Sequence, residues 1–197
     1  MNVFAADCEK SLFGWDAKNN ERIVHINGVF GNEGGYQNLP NDAGNFRNGK
    51  NCGGTKFGIT CRDHAGIRIK SLTREEAAQI YRNDQWKAIH GEEIISQYLA
   101  YKLLDLAINT GAGNAIKLLE KTINDLNGAE PDLQPTGIVS PEMIDWLNAF
   151  TADQQRRWWF FDHLKLQALE RYISIVDNNP KNKQFFLTWT RRDILDE

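Results

Sequence analysis

The stretch that decides the fold is YLAYKLLDLAI, residues 98–108. Its apolar side chains leave almost no polar face, so a helix formed here is apolar nearly all round. A helix of that kind is buried, and the rest of the chain must pack around it. The pattern predicts a central helix from about Ile94 to Ile108, which ends at Gly111–Gly113.

Helical signals continue on both sides of this central helix. Thr73 and Glu76 fit a capping box that starts a helix reaching to about residue 83. Ser140 followed by Pro141 marks a helix start nearer the carboxyl end. Apolar stripes at helical spacing add further predicted helices, at residues 20–30, 114–128 with Asn114 as the cap, 140–150, 151–177 with Thr151 as the cap, and 185–194. We therefore predict a mainly α fold.

One segment breaks the helical pattern. Residues 37–54 are dominated by Asn, Gly, Asp and Pro, so they predict a long loop or an irregular β-ribbon. Residues 56–60 add a short strand or helix start, and residues 67–69 a further extended piece. Long loops of this kind are often functional.

Composition excludes several classes of protein. The 197 residues are 41% hydrophobic and carry a formal net charge of -3, without clustered Lys and Arg. A folded domain is therefore expected, and a nucleic-acid partner is not. Residues 1–15 contain Asp7 and Glu9 and lack a long apolar run, so we expect neither a signal peptide nor a membrane span.

Three cysteines, Cys8, Cys52 and Cys61, cannot all pair within one chain. This argues against a secreted disulfide scaffold and favours a reducing compartment of origin, although Cys52 and Cys61 can pair if oxidised. With His64 they form a weak zinc pattern that lacks paired C-x2-C units. We expect no metal and no other cofactor.

An acidic pair follows the first predicted helix. If that helix reaches Glu33, the carboxyl group continues the apolar stripe of Ile23, Ile26 and Phe30 at the negative end of the helix. Burial and the helix dipole would both raise the pKa of Glu33, as a general acid requires. Asp42, in the polar loop, would stay ionised and act as the second carboxylate of a glycosidase.

A series of motifs resembles glycoside hydrolase family 108, which contains N-acetylmuramidases, including phage endolysins. The matching residues are Glu33-Gly34-Gly35-Tyr36, Asn38, Pro40, Asp42, Gly44, Gly54–Thr60, Leu72–Ala77, Ile80–Arg82, Trp86 and Asn109–Gly113. The segment from Asn114 onward, with Gly137–Pro141, Arg171-Tyr172 and Trp189, resembles the peptidoglycan-binding domain predicted in that family.

The resemblance implies a lysozyme-like helical fold and hydrolysis of peptidoglycan between N-acetylmuramic acid and N-acetylglucosamine. It assigns residues 18–112 to a muramidase domain and 113–197 to a helical peptidoglycan-binding domain, packed as one compact unit. The family's catalytic glutamate matches Glu33 and its loop aspartate matches Asp42, while Thr55 would position water. We expect a monomer whose partner is the glycan strand, acting at the cell wall after assisted release from the cytoplasm.

The chain departs from the family pattern in the loop. Leu39, Asn41 and Ala43 replace the usual Asp, Asp and Pro, and extra residues around 45–52 lengthen the segment. Thr60 is therefore an alternative to Thr55 as the water-positioning residue. Inversion of the anomeric carbon is favoured by analogy alone, since the carboxylate separation is not readable from sequence.

Several side chains are candidates for binding sugar. Tyr36, Tyr81 and Trp86 offer aromatic faces for stacking, and Asn109 offers an amide. Tyr36 and Trp86 are favoured over the pair Trp158-Trp159. For each aromatic residue, packing in the hydrophobic core is an equally good interpretation.

Two rival functions remain open. Cys52 with His64 or His90 superficially resembles the Cys/His pair of a wall amidase or endopeptidase, although Cys52 lies in a glycine-rich loop rather than at a helix start. The chain is alternatively a non-catalytic wall-binding or secretion-accessory protein, since some relatives carry the label secretion activator.

Overall fold

Helices make up most of the chain, as the sequence predicts. The structure is a computed structural model that describes residues 5–19, 22–32, 34–128 and 133–193. Packing divides the chain into two units: a small unit, residues 8–84, and a large unit formed by residues 85–197 together with the first seven.

Over its described residues, the small unit combines short helices with three two-stranded antiparallel sheets. Its elements are α1 (Cys8–Phe13), β1 (Trp15–Asn19), β2 (Arg22–Ile26), α2 (Val29–Asn32), β3 (Phe46–Arg47), β4 (Lys50–Asn51), β5 (Thr55–Lys56), β6 (Ile59–Thr60) and α3 (Arg74–Tyr81). The strands pair in sequence order, β1 with β2, β3 with β4 and β5 with β6. The segment predicted as an irregular β-ribbon is thus a 3-10 turn, Ala43–Asn45, followed by the β3–β4 hairpin.

The helix predicted over residues 20–30 is wrong. The β1–β2 hairpin occupies Trp15–Asn19 and Arg22–Ile26, with Trp15 paired to Ile26, and helix begins only at Val29. The physical reason is visible in the sequence, because Ile23, Val24 and Ile26 are β-branched and favour extended backbone. The apolar stripe that was to lead into Glu33 therefore does not exist as one helical face.

An aromatic cluster holds the small unit together around Phe30. Its ring centroid lies 5.1 Å from that of Phe13, 5.9 Å from that of Phe57 and 6.0 Å from that of Tyr81. Offset and edge contacts of this kind add to the hydrophobic gain of burying the rings. The cluster thereby fixes α2 and the β5–β6 turn against α3.

The start of α3 confirms the predicted capping box. The Glu76 amide donates to the Thr73 hydroxyl at 3.1 Å, and the Thr73 amide donates to the Glu76 carboxylate at 2.8 Å. These reciprocal bonds satisfy two backbone donors that a helix start otherwise leaves unpaired. A π-helical turn, Arg82–Trp86, follows α3, and residues 69–71 form a 3-10 turn where an extended piece was predicted.

The large unit consists of long helices built around the predicted central one. They are α4 (Gln97–Thr110), α5 (Ala112–Asn127), α6 (Pro141–Thr151), α7 (Gln154–Asn178) and α8 (Lys183–Asp193). Leu99, Leu103 and Leu104 of α4 are fully buried. Burying a leucine contributes about 1.5–3 kcal/mol, so α4 anchors this unit as its sequence predicts.

Two predicted helix caps in the large unit are wrong. α5 begins at Ala112, and the side-chain Nδ2 of Asn114 donates instead to the Thr110 carbonyl at 2.7 Å. The cap of α7 is Asp153, whose carboxylate accepts the Arg156 amide at 2.9 Å. The predicted cap, Thr151, instead ends α6. The cap predicted at Ser140 for α6 is confirmed.

A buried carboxylate ties the segment before α6 to α5. Glu120 is 2% exposed and accepts the Thr136 hydroxyl at 2.7 Å, the Thr136 amide at 3.1 Å and the Gly137 amide at 3.0 Å. A buried carboxylate is stable only when hydrogen bonds replace its water, and these donors do so. Glu120 therefore holds residues 136 and 137 against α5.

The division between the units differs in position from the predicted domain boundary at residues 112 and 113. That boundary falls between α4 and α5, which pack against each other within the large unit. As a statement about sequence families it stays a prediction. Over the residues described, no helix is long and apolar enough to cross a membrane.

Candidate functional site

Asp42 lies at the start of the 3-10 turn Ala43–Asn45 in the small unit. Its Oδ1 atom accepts the Gly44 amide at 2.8 Å, and its Oδ2 atom accepts the side-chain amide of Gln37. Both carboxylate oxygens thus receive an N–H donor, and bonds of this type to a charged acceptor are strong. The side chain is half-buried, so it is fixed in position while remaining reachable by solvent.

Thr55 is brought beside this carboxylate by the backbone of Gln37. The Gln37 amide donates to the Thr55 carbonyl, and the Thr55 amide to the Gln37 carbonyl, both at 2.8 Å. The Thr55 hydroxyl donates to Oδ1 of Asn45 at 2.8 Å. The loop carrying Asp42 and the strand carrying Thr55 are therefore joined through both main chain and side chains.

Side chains of three residues predicted for the site, Asp42, Thr55 and Thr60, lie close to Gly44 on the side where a Cβ would be. A Cβ atom placed on Gly44 would lie 3.0 Å from Thr60 Cγ2, 3.1 Å from Asp42 Oδ1 and 3.4 Å from Thr55 Oγ1. The two shorter distances are tight for carbon, so a larger residue at position 44 would push Thr60 and Asp42 by a few tenths of an ångström. Asp42 and Thr55 consequently border one small space above Gly44. Their roles as the second carboxylate and the water-positioning residue stay predictions.

Thr60 turns a different group toward this space. Its methyl group faces Gly44, whereas its hydroxyl donates to Asp63 Oδ2 at 2.7 Å and accepts the Asp63 amide at 3.1 Å. Arg62 binds both oxygens of Asp63, at 2.9 Å and 3.0 Å, and this guanidinium lowers the pKa of Asp63 below its ordinary value. The Thr60 hydroxyl is thereby held in a turn away from Asp42.

Glu33 lies outside the described residues, so its proposed protonation and its distance from Asp42 stay predictions. The segment after it is described: the Gly34 carbonyl accepts the Phe57 amide at 3.0 Å. Gly34, the residue after Glu33, is thus hydrogen-bonded to Phe57, which lies two residues after Thr55. This bond links the chain that carries the predicted acid to the hairpin that carries Thr55.

The predicted sugar-binding side chains fall into different environments. Tyr36 is 38% exposed, and the Lys70 ammonium lies 6.0 Å from the centre of its ring. Tyr81 is 2% exposed and its hydroxyl donates to the Phe57 carbonyl at 2.6 Å. An aromatic face can stack on sugar only if it is accessible, so Tyr36 fits the role and the prediction for Tyr81 is wrong.

The predictions for Trp86 and Asn109 concern the large unit. Trp86 is 0% exposed, and its ring lies so close to Gly91 that a Cβ there would be 2.4 Å from the indole. The indole is a core side chain, and its prediction as a sugar platform is wrong. Asn109 is half-buried and its amide donates to the Tyr172 hydroxyl at 2.8 Å, so its role in substrate binding stays a prediction.

Cys52 and Cys61 form a disulfide. The sequence left the pairing of these two cysteines open, and the structure pairs them. The reducing compartment of origin stays a prediction. A disulfide sulfur is not a thiolate, so Cys52 as it stands in this structure is not an amidase nucleophile. Within the described ranges, no three His, Cys, Asp or Glu side chains are grouped so as to hold a metal ion.

Sequence reasoning missed Gln37 and Asn45, which connect Asp42 to Thr55. A signal was available, because amide side chains in a turn-rich loop commonly bond neighbouring groups. What the sequence does not reveal is their partners, since Asn45 and Thr55 are ten residues apart.

A mainly helical chain with a small, irregular β region that holds an acidic loop has the lysozyme-like fold expected from sequence. The structure of Brucella abortus SagA has the same fold, with a TM-score of 0.62 at 24% sequence identity over 84% of each chain. Residues 26–111 match the model of the family described as Glycosyl hydrolase 108. A search of curated protein sequences finds no match.

Proposed function

We propose that this protein is an N-acetylmuramidase that hydrolyses peptidoglycan between N-acetylmuramic acid and N-acetylglucosamine. The observation that carries the proposal is the convergence of Asp42 and Thr55 on the space above Gly44. It lies within the segment that matches the glycosyl hydrolase family. A carboxylate fixed by two N–H donors beside a hydroxyl is suited to holding and deprotonating a water molecule.

In the proposed reaction Glu33 is the general acid. It donates a proton to the oxygen of the departing N-acetylglucosamine as the bond from that oxygen to the anomeric carbon breaks. A water molecule held by Asp42 and Thr55 forms the new bond to the anomeric carbon, and its proton passes to Asp42. Attack from the opposite face inverts the anomeric carbon. Tyr36 supplies an accessible ring for stacking on sugar.

The test is digestion of purified peptidoglycan by the wild type and by Glu33→Gln and Asp42→Asn. Losing the general acid typically lowers the rate by about 10²–10⁴-fold. We expect new N-acetylmuramic acid reducing ends from the wild type by mass spectrometry, and a loss of at least about a hundredfold in Glu33→Gln. Undiminished activity in folded Glu33→Gln overturns the proposed mechanism.

The accessory hypothesis is separated by the same assay. A wall-binding or secretion-accessory protein would bind peptidoglycan without releasing reducing ends, whichever residue is changed. The proposed place of action is the bacterial cell wall, reached by assisted release from the cytoplasm. Lysis of cells only when the wall is exposed from outside or the membrane is permeabilised would support this placement.

A further inference from the structure

Two amide side chains, Gln37 and Asn45, lie between Asp42 and Thr55. Asn45 is 0% exposed, and a buried amide is costly unless its polar atoms are bonded. Its Nδ2 atom donates to Gln37 Oε1 at 2.9 Å and to the Leu39 carbonyl at 3.0 Å, while Oδ1 accepts from Thr55. Asn45 therefore has a partner at each polar atom of its side chain.

The peptide groups of Leu39 determine which way both amides face. The Leu39 amide donates at 2.8 Å to Oε1 of Gln37, which makes that atom an acceptor and turns Nε2 of Gln37 toward Asp42. The Leu39 carbonyl can only accept, so it requires Nδ2 of Asn45 and turns Oδ1 toward Thr55. The orientation of each amide thus follows from the backbone.

The orientation of the Asn45 amide determines whether the Thr55 hydroxyl donates or accepts a hydrogen bond. An amide oxygen carries no proton, so the Thr55 hydroxyl must donate its single proton to Asn45. Toward the space above Gly44 the Thr55 oxygen can then act only as an acceptor. Ionised Asp42 is also an acceptor only, because a carboxylate has no proton to donate.

We propose that Gln37 and Asn45 are positioning residues that make the site accept two hydrogen bonds and donate none to the hydrolytic water. A water between Asp42 and Thr55 then donates one proton to each, which leaves an oxygen lone pair for the anomeric carbon. Gln37 holds the carboxylate and Asn45 holds the hydroxyl. The inference rests on the proposed roles of Asp42 and Thr55 and adds the residues that orient them.

The first experiment compares Gln37→Met, which keeps the length of the side chain and removes its polar atoms, with Asn38→Ala. Asn38 is a matched control, since it is an amide in the same loop whose side chain pairs with exposed Asn51. With soluble glycan strands as substrate, we expect kcat to fall roughly tenfold or more in Gln37→Met, and KM to change by less than about twofold. The orientation of the water affects the transition state and not the binding of substrate, so kcat should fall while KM stays nearly constant.

A second experiment separates positioning from general support of the fold. The variants Asn45→Ala and Thr55→Val would be measured singly and together, after circular dichroism has shown that each one folds. If Asn45 acts through the Thr55 hydroxyl, Asn45→Ala lowers kcat in the wild type and adds little once that hydroxyl is gone. Where Asn45→Ala does not fold, the same cycle is run with half-buried Gln37→Met against Asp42→Asn.

The results also separate the inference from the proposed function. Additive losses in the double variants, or an unchanged kcat in Gln37→Met, overturn the positioning role while Glu33→Gln remains inactive. An active Glu33→Gln overturns the muramidase mechanism itself. Non-additive losses of kcat at constant KM, with Asn38→Ala within about twofold of the wild type, support the inference.

Discussion

At the scale of single residues, Gly44 leaves little room for a larger side chain beside Asp42 and Thr55. In Gly44→Ala the added methyl would press on Asp42 Oδ1, Thr55 Oγ1 and Thr60 Cγ2 at 3.0–3.4 Å. Overpacking of this kind costs typically about 1–3 kcal/mol and displaces neighbours. We expect kcat on peptidoglycan to fall roughly tenfold, because a small misplacement of catalytic groups is costly in rate.

The control for this change is Gly113→Ala in α5, where the new Cβ would lie 3.9 Å from the Gly137 carbonyl oxygen, an ordinary van der Waals contact. Alanine is favoured over glycine in a helix by up to about 1 kcal/mol, so this variant should be at least as stable as the wild type. Equal kcat in Gly44→Ala and Gly113→Ala would mean that the space above Gly44 is not where the reaction occurs.

Asp63 gives the site a predictable response to acid. Hydrogen bonds from Arg62 and Thr60 lower the pKa of Asp63, so its stabilising contribution is present above the ordinary carboxyl pKa and is lost as pH falls through the lowered one. In urea unfolding, Asp63→Asn should be less stable than the wild type at pH 6. The difference should shrink as the pH approaches 2. A constant difference across this range would show that the ionised Asp63 does not stabilise the turn.

At the scale of elements, the disulfide closes the chain around the β5–β6 hairpin. Cys52 and Cys61 are nine residues apart, and a closed loop of this size stabilises by about 2–3 kcal/mol in the chain-entropy model. The double variant Cys52→Ser, Cys61→Ser should therefore melt at a lower temperature, by about 2–4 °C for each kcal/mol lost. It should retain wall lysis, since neither sulfur takes part in the proposed reaction.

Reductant supplies the control for the disulfide. Treatment with dithiothreitol should lower the melting temperature of the wild type toward that of the double variant and leave the double variant unchanged. If the wild type melts at the same temperature with and without reductant, the disulfide contributes no stability. Loss of lysis in a folded double variant would restore the cysteine-enzyme hypothesis.

Elements whose signals are local were predictable from sequence. The capping box at Thr73 and the cap at Ser140 involve residues three apart in the chain, so the pattern contains the whole interaction. The helix predicted over residues 20–30 failed because Ile23 and Ile26 fit a helical spacing and a strand equally well in so short a segment. Pairing with β1 stabilises the strand, and β1 lies outside the segment whose apolar spacing predicted a helix.

In the candidate site, too, the residue types were predictable from sequence and their burial was not. The sequence predicts Asp42 and Thr55, and the structure brings their side chains together. It does not predict that Asn45 is buried between them, because that depends on the loop folding back onto β5. Burial also decides between the two interpretations of Tyr81 and Trp86, and only the packed chain supplies it.

At the scale of the whole molecule, the family match and the packing units do not coincide. The matched segment, residues 26–111, ends with α4, whereas α4 packs on α5 inside the large unit. α5 in turn packs on α7, and α7 on α6 and α8. The segment that matches the glycosyl hydrolase family is therefore not expected to fold by itself.

This leads to a prediction about truncation. A fragment ending at residue 112 would expose the side of α4 that α5 covers, including some of its fully buried leucines. Each leucine returned to water costs about 1.5–3 kcal/mol, and a few such losses match the 5–15 kcal/mol by which a typical domain is stable. We expect the fragment to show no cooperative thermal transition and to release no reducing ends from peptidoglycan. The full chain should melt cooperatively and release reducing ends. A fragment that melts cooperatively and cleaves peptidoglycan would instead show that residues 113–197 are a separable domain, as the family boundary predicts.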